Sequence, residues 1–316
     1  MRAIIINSYG SPEVLQKAMV AVPKVGANQL LVEVKAAGVN PIDWKIRKGN
    51  FKLLTGRRFP RILGTDIAGV VRETGKKVSG FKAGDEVMAM VNIMTGQGGY
   101  AEFAVTGEKY SCRKPANLSF IEAAAVPGSG VTALQVLRRK VVLERGQKLL
   151  INGASGGVGI YGIQIAKILG AEVAAVCSGR NTALVRSLGA DSVIDYTATD
   201  FTRQSHSYDV IFDAVGNLGF AGCRHVIKEG GTFITIVPDF KKIMLSLISS
   251  VLPGKKCRFV SALPNKDDLL WLKEKIEEER IRVVLDRTYA LEQAGKAHEY
   301  MEKGHARGKV VLTVAP

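Results

Sequence analysis

The stretch LLINGASGGVGIYGIQIAKILGAEVAAVCSGR, residues 149–180, decides the fold. Its apolar run Leu149–Asn152 reads as a strand, Ile160–Leu169 as a helix stopped by Gly170, and Glu172–Cys177 as a second strand. Between the first strand and the helix, Ala154-Ser155-Gly156-Gly157-Val158-Gly159 fits A-x-G-x-x-G, a variant of the dinucleotide fingerprint with Ala in the first glycine position. Glycines let a backbone approach a pyrophosphate closely, and the helix that follows turns its unpaired N–H groups and positive dipole end toward those oxygens. A bare match is weak, but here the flanking strands and helix stand at the expected distances. That context argues against the plainer reading, a glycine turn with no ligand.

The end of the second strand bears on which cofactor is held. Binders of the unphosphorylated cofactor usually place Asp or Glu about 20 residues on, at the ribose 2′-hydroxyl. This chain has Cys177-Ser178-Gly179-Arg180 there, with Glu172 back at the start of the strand. A guanidinium and a hydroxyl suit a 2′-phosphate in charge and geometry. The expected cofactor is therefore NADPH, with Ala154, Ser155, Gly156, Gly157 and Val158 at the phosphates and Ser178 and Arg180 at the 2′-phosphate. Arg180 as a plain surface charge is the alternative.

Outward from this stretch the alternation continues. Asn181–Leu188 reads as a helix, and Ser192–Asp195, Asp209–Ala214 and Thr232–Val237 as strands, with Arg258–Leu263 as the last. Such alternation implies βαβ units and a doubly wound parallel sheet. Gly216 follows the fourth strand at the sheet's carboxyl edge, where it either admits the adenine-side ribose or permits a turn. The first 120 residues have a different texture. Short β-rich runs such as Leu30–Val34, Ile67–Arg72 and Glu86–Val91, punctuated by Gly and Pro, predict a compact, mainly β domain. After a charged helix over 266–279, the sequence predicts a strand at Arg282–Asp286, a helix over Leu291–Glu302 and a closing strand at Lys309–Val314. With no linker before it, this tail is expected to pack back onto the first domain.

Composition narrows the classes. In 316 residues, 47% hydrophobic and 23% charged, there is no repeat or low-complexity tract, so two folded domains are expected. The N-terminal apolar run is too short for a secretory signal, and no stretch reaches the ~20 apolar residues of a membrane span. A cytoplasmic protein is expected. Four scattered cysteines and four histidines form neither C-x-x-C nor H-E-x-x-H. The net charge of +15 could serve nucleic acid, an anionic membrane or an anionic cofactor. Two places concentrate it: the seven basic residues of 45–61, with no acid, and Lys241, Lys242, Lys255, Lys256 and Arg258 around an apolar run. A solvated basic surface is the plain reading of most of them.

On these residues, together with Gly38-Val39-Asn40-Pro41-Ile42-Asp43-Trp44-Lys45, Gly64-Thr65-Asp66-Ile67-Ala68-Gly69, Gly80–Val87, Gly99-Tyr100-Ala101-Glu102 and Ala123–Thr132, the chain resembles a known family over nearly its whole length. It is similar to the zinc-free quinone oxidoreductases of the medium-chain dehydrogenase/reductase superfamily, near the zeta-crystallin-like and chloroplast envelope enone/quinone reductase group. The resemblance implies an α/β protein: a GroES-like β-rich catalytic domain over 1–118, completed by 264–316, and a Rossmann NADPH-binding domain over 119–263. Zinc-dependent relatives carry a cysteine ligand where Asn40 stands, a Gly-His-Glu where Gly64-Thr65-Asp66 stands, and a four-cysteine lobe near 91–112, where this chain has only Cys112. No metal is therefore expected.

The implied activity is NADPH-dependent reduction of quinones or of the C=C bond of α,β-unsaturated carbonyls. By the resemblance, Lys45 lies near the nicotinamide ribose and the substrate carbonyl, Asn40 is an amide donor near the same ribose, Thr132 lies near the nicotinamide, and Tyr196 lies beside the adenosine ribose phosphate. The plainer readings are Lys45 on a solvated basic face, Asp43 and Trp44 as core or turn residues, Thr132 starting a helix and Tyr196 closing a strand. A homodimer is implied, and peripheral membrane contact through 241–258 is a further reading of that basic apolar segment. The rival function is a non-catalytic, NADPH-binding, RNA-binding zeta-crystallin-like protein. With 7% aromatics and no RNA-recognition signature, nucleic acid is the weaker expectation.

Overall fold

The structure, a computed structural model, describes residues 1–203, 207–237, 240–251 and 253–314, with backbone alone at 240–242, 250 and 251. The chain divides into two compact units: Met1–Gly128 with Pro264–Glu279 and Val283–Pro316, and Ser129–Leu263 with Arg280–Arg282.

Among the described residues the second unit is built on six parallel strands. In space they run Ser192–Asp195, Glu172–Cys177, Lys148–Asn152, Tyr208–Asp213, Ile227–Thr235 and Lys256–Phe259. Numbered along the chain this is 3-2-1-4-5-6, the Rossmann order, whose reversal falls between Lys148–Asn152 and Tyr208–Asp213. Strands covered on both faces need continuous apolar runs. Leu149, Leu150 and Ile151, and Ile211 and Phe212, meet that need with no exposed surface. The helix Gly157–Ile168 follows the first strand and buries Gly159 through Ala166. It starts three residues before the expected Ile160, because the glycines of the turn supply its first turn despite their low helix propensity.

In the first unit the eleven-residue strand Gln29–Val39 organises the larger sheet. It pairs antiparallel with Asp66–Thr74, Phe103–Gly107 and Lys309–Thr313. The closing strand thus comes home onto a strand read more than 250 residues earlier, as the missing linker implied. Leu30, Val32, Val34, Ile67, Val71, Val87, Val310 and Leu312 form the core of this unit.

Several further boundaries differ from expectation; in the second unit the strands expected at Thr232–Val237 and Arg258–Leu263 lie at Ile227–Thr235 and Lys256–Phe259. The first unit runs to Gly128 because the helix Phe120–Ala124 packs on the strands Gln29–Val39 and Asp66–Thr74. The strand expected at Arg282–Asp286 lies instead at Leu285–Ala290, beside Lys309–Thr313. It is an edge strand with no fully buried residue, so it lacks the period-2 pattern, and the apolar Val283-Val284-Leu285 drew the expectation upstream. The segment 241–258 forms the helix Phe240–Val251 and the strand Lys256–Phe259, with Leu247 and Ile248 exposed. Residue 252 and the side chains of Lys241 and Lys242 lie outside the described residues. Among the described residues no helix is long and apolar enough to cross a membrane.

Candidate active site

The fingerprint turn sits at the carboxyl end of Lys148–Asn152, beside the strand-order reversal. Gly156 is the N-cap of the helix Gly157–Ile168, whose first intrahelical bond runs from Ile160 N–H to Gly156 O. The N–H groups of Gly157, Val158 and Gly159 therefore have no acceptor within the helix. Gly156, Gly157 and Val158 reach the surface, whereas Ala154 is fully buried and Ser155 nearly so. Ala154 donates its N–H to Val176 O at 3.0 Å, which fastens the turn to the neighbouring strand. The tightest point is Gly159: a Cβ there would lie 2.3 Å from Gly153 O. Close packing of helix on turn is the third glycine's role in the fingerprint.

One strand over, Cys177 pairs with Asp195, and Tyr196 donates its N–H to Cys177 O at 3.2 Å. This pairing gathers Ser178, Arg180 and Tyr196 at the carboxyl edge of two adjacent strands. Arg180, in a 3₁₀ turn over Gly179–Asn181, is exposed and has no ion-pair or hydrogen-bond partner among the described residues. Tyr196 is 55% exposed.

Asn181, which the sequence reading used only as a helix start, is buried and ties this corner together. Its Nδ2 donates to Ser155 Oγ at 2.9 Å and to Ser178 Oγ at 3.2 Å, linking the fingerprint turn to the strand end that carries Ser178 and Arg180. A carboxylate is also present after all, from the third strand and not the second. Asp195 accepts from Thr197 N and Oγ1 at 2.9 and 2.7 Å and from the Gly179 N–H; the Thr197 bonds, first of all, hold its carboxyl below the usual range. Asp195 thereby orders the turn that carries Arg180.

Beyond the reversal, Asp213 is fully buried and accepts from Asn152 Nδ2 and the Gly216 N–H, both at 2.9 Å. Gly216, at φ 91°, is locked at the end of its strand by that bond. Thr132 lies inside the helix Pro127–Leu134 and not at its start.

In the first unit, Asn40 is the N-cap of the helix Pro41–Arg47, which carries Asp43 and Lys45. The Asn40 N–H donates to Asp43 Oδ2 at 2.8 Å, half of a capping box. Asp43 is completely buried and takes three more donors: Tyr100 Oη at 3.3 Å, Gly64 N–H at 3.3 Å and Thr65 Oγ1 at 3.2 Å. Burial first, then the neighbouring Asp66 charge, pushes its carboxyl up to about 7, against the pull of those donors. Behind it, Tyr100 Oη meets His298 Nε2 at 3.1 Å, and burial drives that imidazole down to about 3. His298 is neutral at physiological pH.

The Asn40 carboxamide is held on both sides. Its Nδ2 donates to Asp66 Oδ2 at 2.9 Å and reaches Thr65 Oγ1 at 3.3 Å, while its Oδ1 accepts from Lys309 Nζ at 2.6 Å. Asp66 and Lys309 are both buried, and Asp66 Oδ2 and Lys309 Nζ stand 3.8 Å apart. Burial pushes the carboxyl up and the ammonium down, and their mutual attraction opposes both shifts. Neither Asp66 as a partner nor Lys309 at all was singled out as functional from the sequence, because the registers that join them are long-range.

Lys45 is half-buried, with its Nζ 5.6 Å from the Trp44 ring centroid, and burial lowers its ammonium pKa. The solvated-face reading of the basic run fails for two of its seven members. Arg47 is fully buried and paired with Glu302, and Arg61 is buried with a guanidinium N–H donated to Thr55 O.

Residues 26–137 match the family model described as the alcohol dehydrogenase GroES-like domain, and residues 188–312 match the one described as zinc-binding dehydrogenase. The chain is 36% identical to the chloroplast envelope quinone oxidoreductase homolog of Arabidopsis thaliana, over 99% of this chain and 98% of that protein. It is 37% identical to the NADPH-dependent alkenal/one oxidoreductase, chloroplastic, of the same plant, over 100% of this chain and 80% of that protein. The structure of the quinone oxidoreductase from Coxiella burnetii superposes with a TM-score of 0.91 at 32% identity, covering 100% of this chain and 99% of that one.

One matching family model is described as zinc-binding, and three side chains of the GroES-like match stand where zinc-dependent relatives carry ligands. They are an amide, a hydroxyl and a carboxylate, Asn40, Thr65 and Asp66, and zinc favours thiolate and imidazole. The Asn40 oxygen and the Asp66 carboxylate that would face a metal already face the Lys309 ammonium. These residues do not fit zinc.

Proposed function

Since the chain belongs to the medium-chain dehydrogenase/reductase superfamily, among its quinone oxidoreductases, and is an oxidoreductase, we propose that it reduces quinones or the C=C bond of α,β-unsaturated carbonyls with NADPH and without zinc. The observation that carries the choice of NADPH is Arg180, a cation with no partner among the described residues, beside Ser178 and tied through Asn181 to the fingerprint turn. The relative named an NADPH-dependent alkenal/one oxidoreductase supports the same reading.

The residues fit this cofactor. The N–H groups of Gly157, Val158 and Gly159 would take the pyrophosphate. Ser178, Arg180 and Tyr196 would take the adenosine ribose and its 2′-phosphate, and Thr132 and Gly216 are assigned to the cofactor's remaining contacts. NADPH supplies a hydride when bound.

The protein's part is then to place the acceptor and stabilise the oxygen that gains charge. Lys45 is assigned that electrostatic role. An ammonium already partly desolvated interacts more strongly with a developing oxyanion than a fully hydrated one does. Asn40 is assigned a fixed dipole beside it. With no Lewis acid in the scheme, electron-poor acceptors are favoured, because conjugation spreads the added charge as an enolate or hydroquinone anion.

The test is NADPH oxidation with an ortho-quinone and a series of 2-alkenals, with NADH in parallel, before and after dialysis against a chelator. Turnover that prefers NADPH and survives the chelator is expected. Activity that is lost in chelator and restored by zinc overturns the metal-free mechanism.

A further inference from the structure

Lys309 is the first residue of the closing strand, 269 residues from Asn40, and is 2% exposed. An ammonium can only donate hydrogen bonds and a carboxylate can only accept them. Placed on opposite sides of the Asn40 carboxamide, Lys309 and Asp66 therefore decide which way round it sits: oxygen toward Nζ at 2.6 Å, nitrogen toward Asp66 Oδ2 at 2.9 Å. Hydroxyl or amide neighbours would serve either orientation.

We propose that Lys309 and Asp66 are positioning residues whose work is to fix the Asn40 carboxamide in one orientation for the reductase chemistry. This rests on the reading of Asn40 as an active-site residue.

Stability alone does not account for the pair. A buried ion pair is often no more stabilising than well-packed apolar residues of the same volume, since both charges lose their water. The mounting points, by contrast, are what positioning needs, because rigid elements hold side chains more accurately than loops do. Asn40 is the N-cap of a helix and is held there by its N–H bond to Asp43, and Asp66 and Lys309 each open a strand. The central strand Gln29–Val39 aligns them, with Gly38 opposite Asp66 and Val39 opposite Val310. Behind Asp66 the packing is tight: a Cβ on Gly128 would lie 2.8 Å from Asp66 Oδ1.

The test uses a neutral pair, Lys309→Met with Asp66→Asn, so that both charges of the ion pair are removed together; the buried Asp43 beside them also loses the Lys309 charge, which favours its neutral form. The readouts are the Asn40 side-chain amide in an ¹H–¹⁵N spectrum, assigned by its loss in Asn40→Ser, together with thermal melting, NADPH affinity and steady-state kinetics. In the native protein the Asn40 amide protons should resolve from the exposed amides and exchange slowly. The neutral pair should melt cooperatively and bind NADPH within threefold of the native protein. Its Asn40 amide should exchange at least tenfold faster, and kcat/KM for a 2-alkenal should fall at least thirtyfold.

Lys309→Arg keeps a donor-only cation and should recover kcat/KM to within tenfold of the native value. If the neutral pair does not fold, this variant carries the test, and a collapsed amide signal with native kcat/KM overturns the proposal. A folded neutral pair with native amide exchange and native kcat/KM overturns it as well. Absence of turnover by the native protein on every acceptor would instead count against the functional reading, and the amide exchange would still report whether the pair holds Asn40.

Discussion

Replacing Arg180 with alanine isolates the 2′-phosphate. The guanidinium has no partner among the described residues, so nothing has to be broken when the cofactor arrives and nothing is left unpaired when the side chain goes. The nearby Asp195 is occupied by Thr197 and the Gly179 N–H, and the Asn181 bonds to Ser155 and Ser178 do not involve Arg180. The turn should therefore survive the change. A hydrogen bond to a charged group contributes about 1.5–3 kcal/mol. Arg180 is exposed, and salt at physiological strength screens over ~8 Å, which puts the loss near ~1.5 kcal/mol, or roughly tenfold. Nucleotide fluorescence titrations should show NADPH binding roughly tenfold weaker and NADH within twofold of the native value, with a shallower salt dependence for NADPH alone. Equal weakening of both nucleotides would remove Arg180 from the 2′-phosphate.

Two further outcomes follow from the packing and the buried imidazole. Gly159→Ala drives a methyl onto Gly153 O and should cost about 1–3 kcal/mol of stability, together with most of the cofactor affinity, as read by melting temperature and NADPH titration; native values for both would refute the close-approach argument. His298 has a folded pKa of about 3, below its unfolded value of about 6.5, so the unfolded chain binds the extra proton and stability is lost as pH falls through that window. Asp43, raised to about 7, has the opposite sign, gaining stability as pH falls toward its unfolded value, so the two slopes offset one another in the native protein. In urea unfolding, His298→Gln should gain on the native protein by about 1.4 kcal/mol for each pH unit from 6.5 down to 4. Parallel curves would mean that His298 is not the depressed base.

The second unit was largely legible in sequence because its information is local. Leu149–Ile151 and Val173–Val176 are apolar runs of the kind a doubly covered strand needs, and the fingerprint lies between them within thirty-two residues. Its fine structure was less so, since Ala154 lies beneath the turn and Asn181, which joins Ser155 to Ser178, carries no motif of its own. In the first unit, Asn40 and Lys45 came from a family likeness, whereas Lys309 could not be seen at all. A lysine near the end of a chain looks like a surface residue until strand register carries it into a core. The same blindness made Arg47 and Arg61 look solvated, when Arg47 is buried against Glu302, 255 residues away along the chain, and Arg61 is buried against the Thr55 carbonyl.

The pairing of Lys309–Thr313 with the strand Gln29–Val39 sets an order of assembly during synthesis. At 5–20 residues per second, a ribosome reaches Lys309 roughly 13–54 s after Asn40, and in that interval the contiguous stretch that forms the nucleotide-binding sheet can already close. Until the last strand docks, the amide of Asn40 has no ammonium to face and the long strand keeps an open edge. The nascent chain is therefore most open to chaperones, and to mispairing with other chains, at its oldest end.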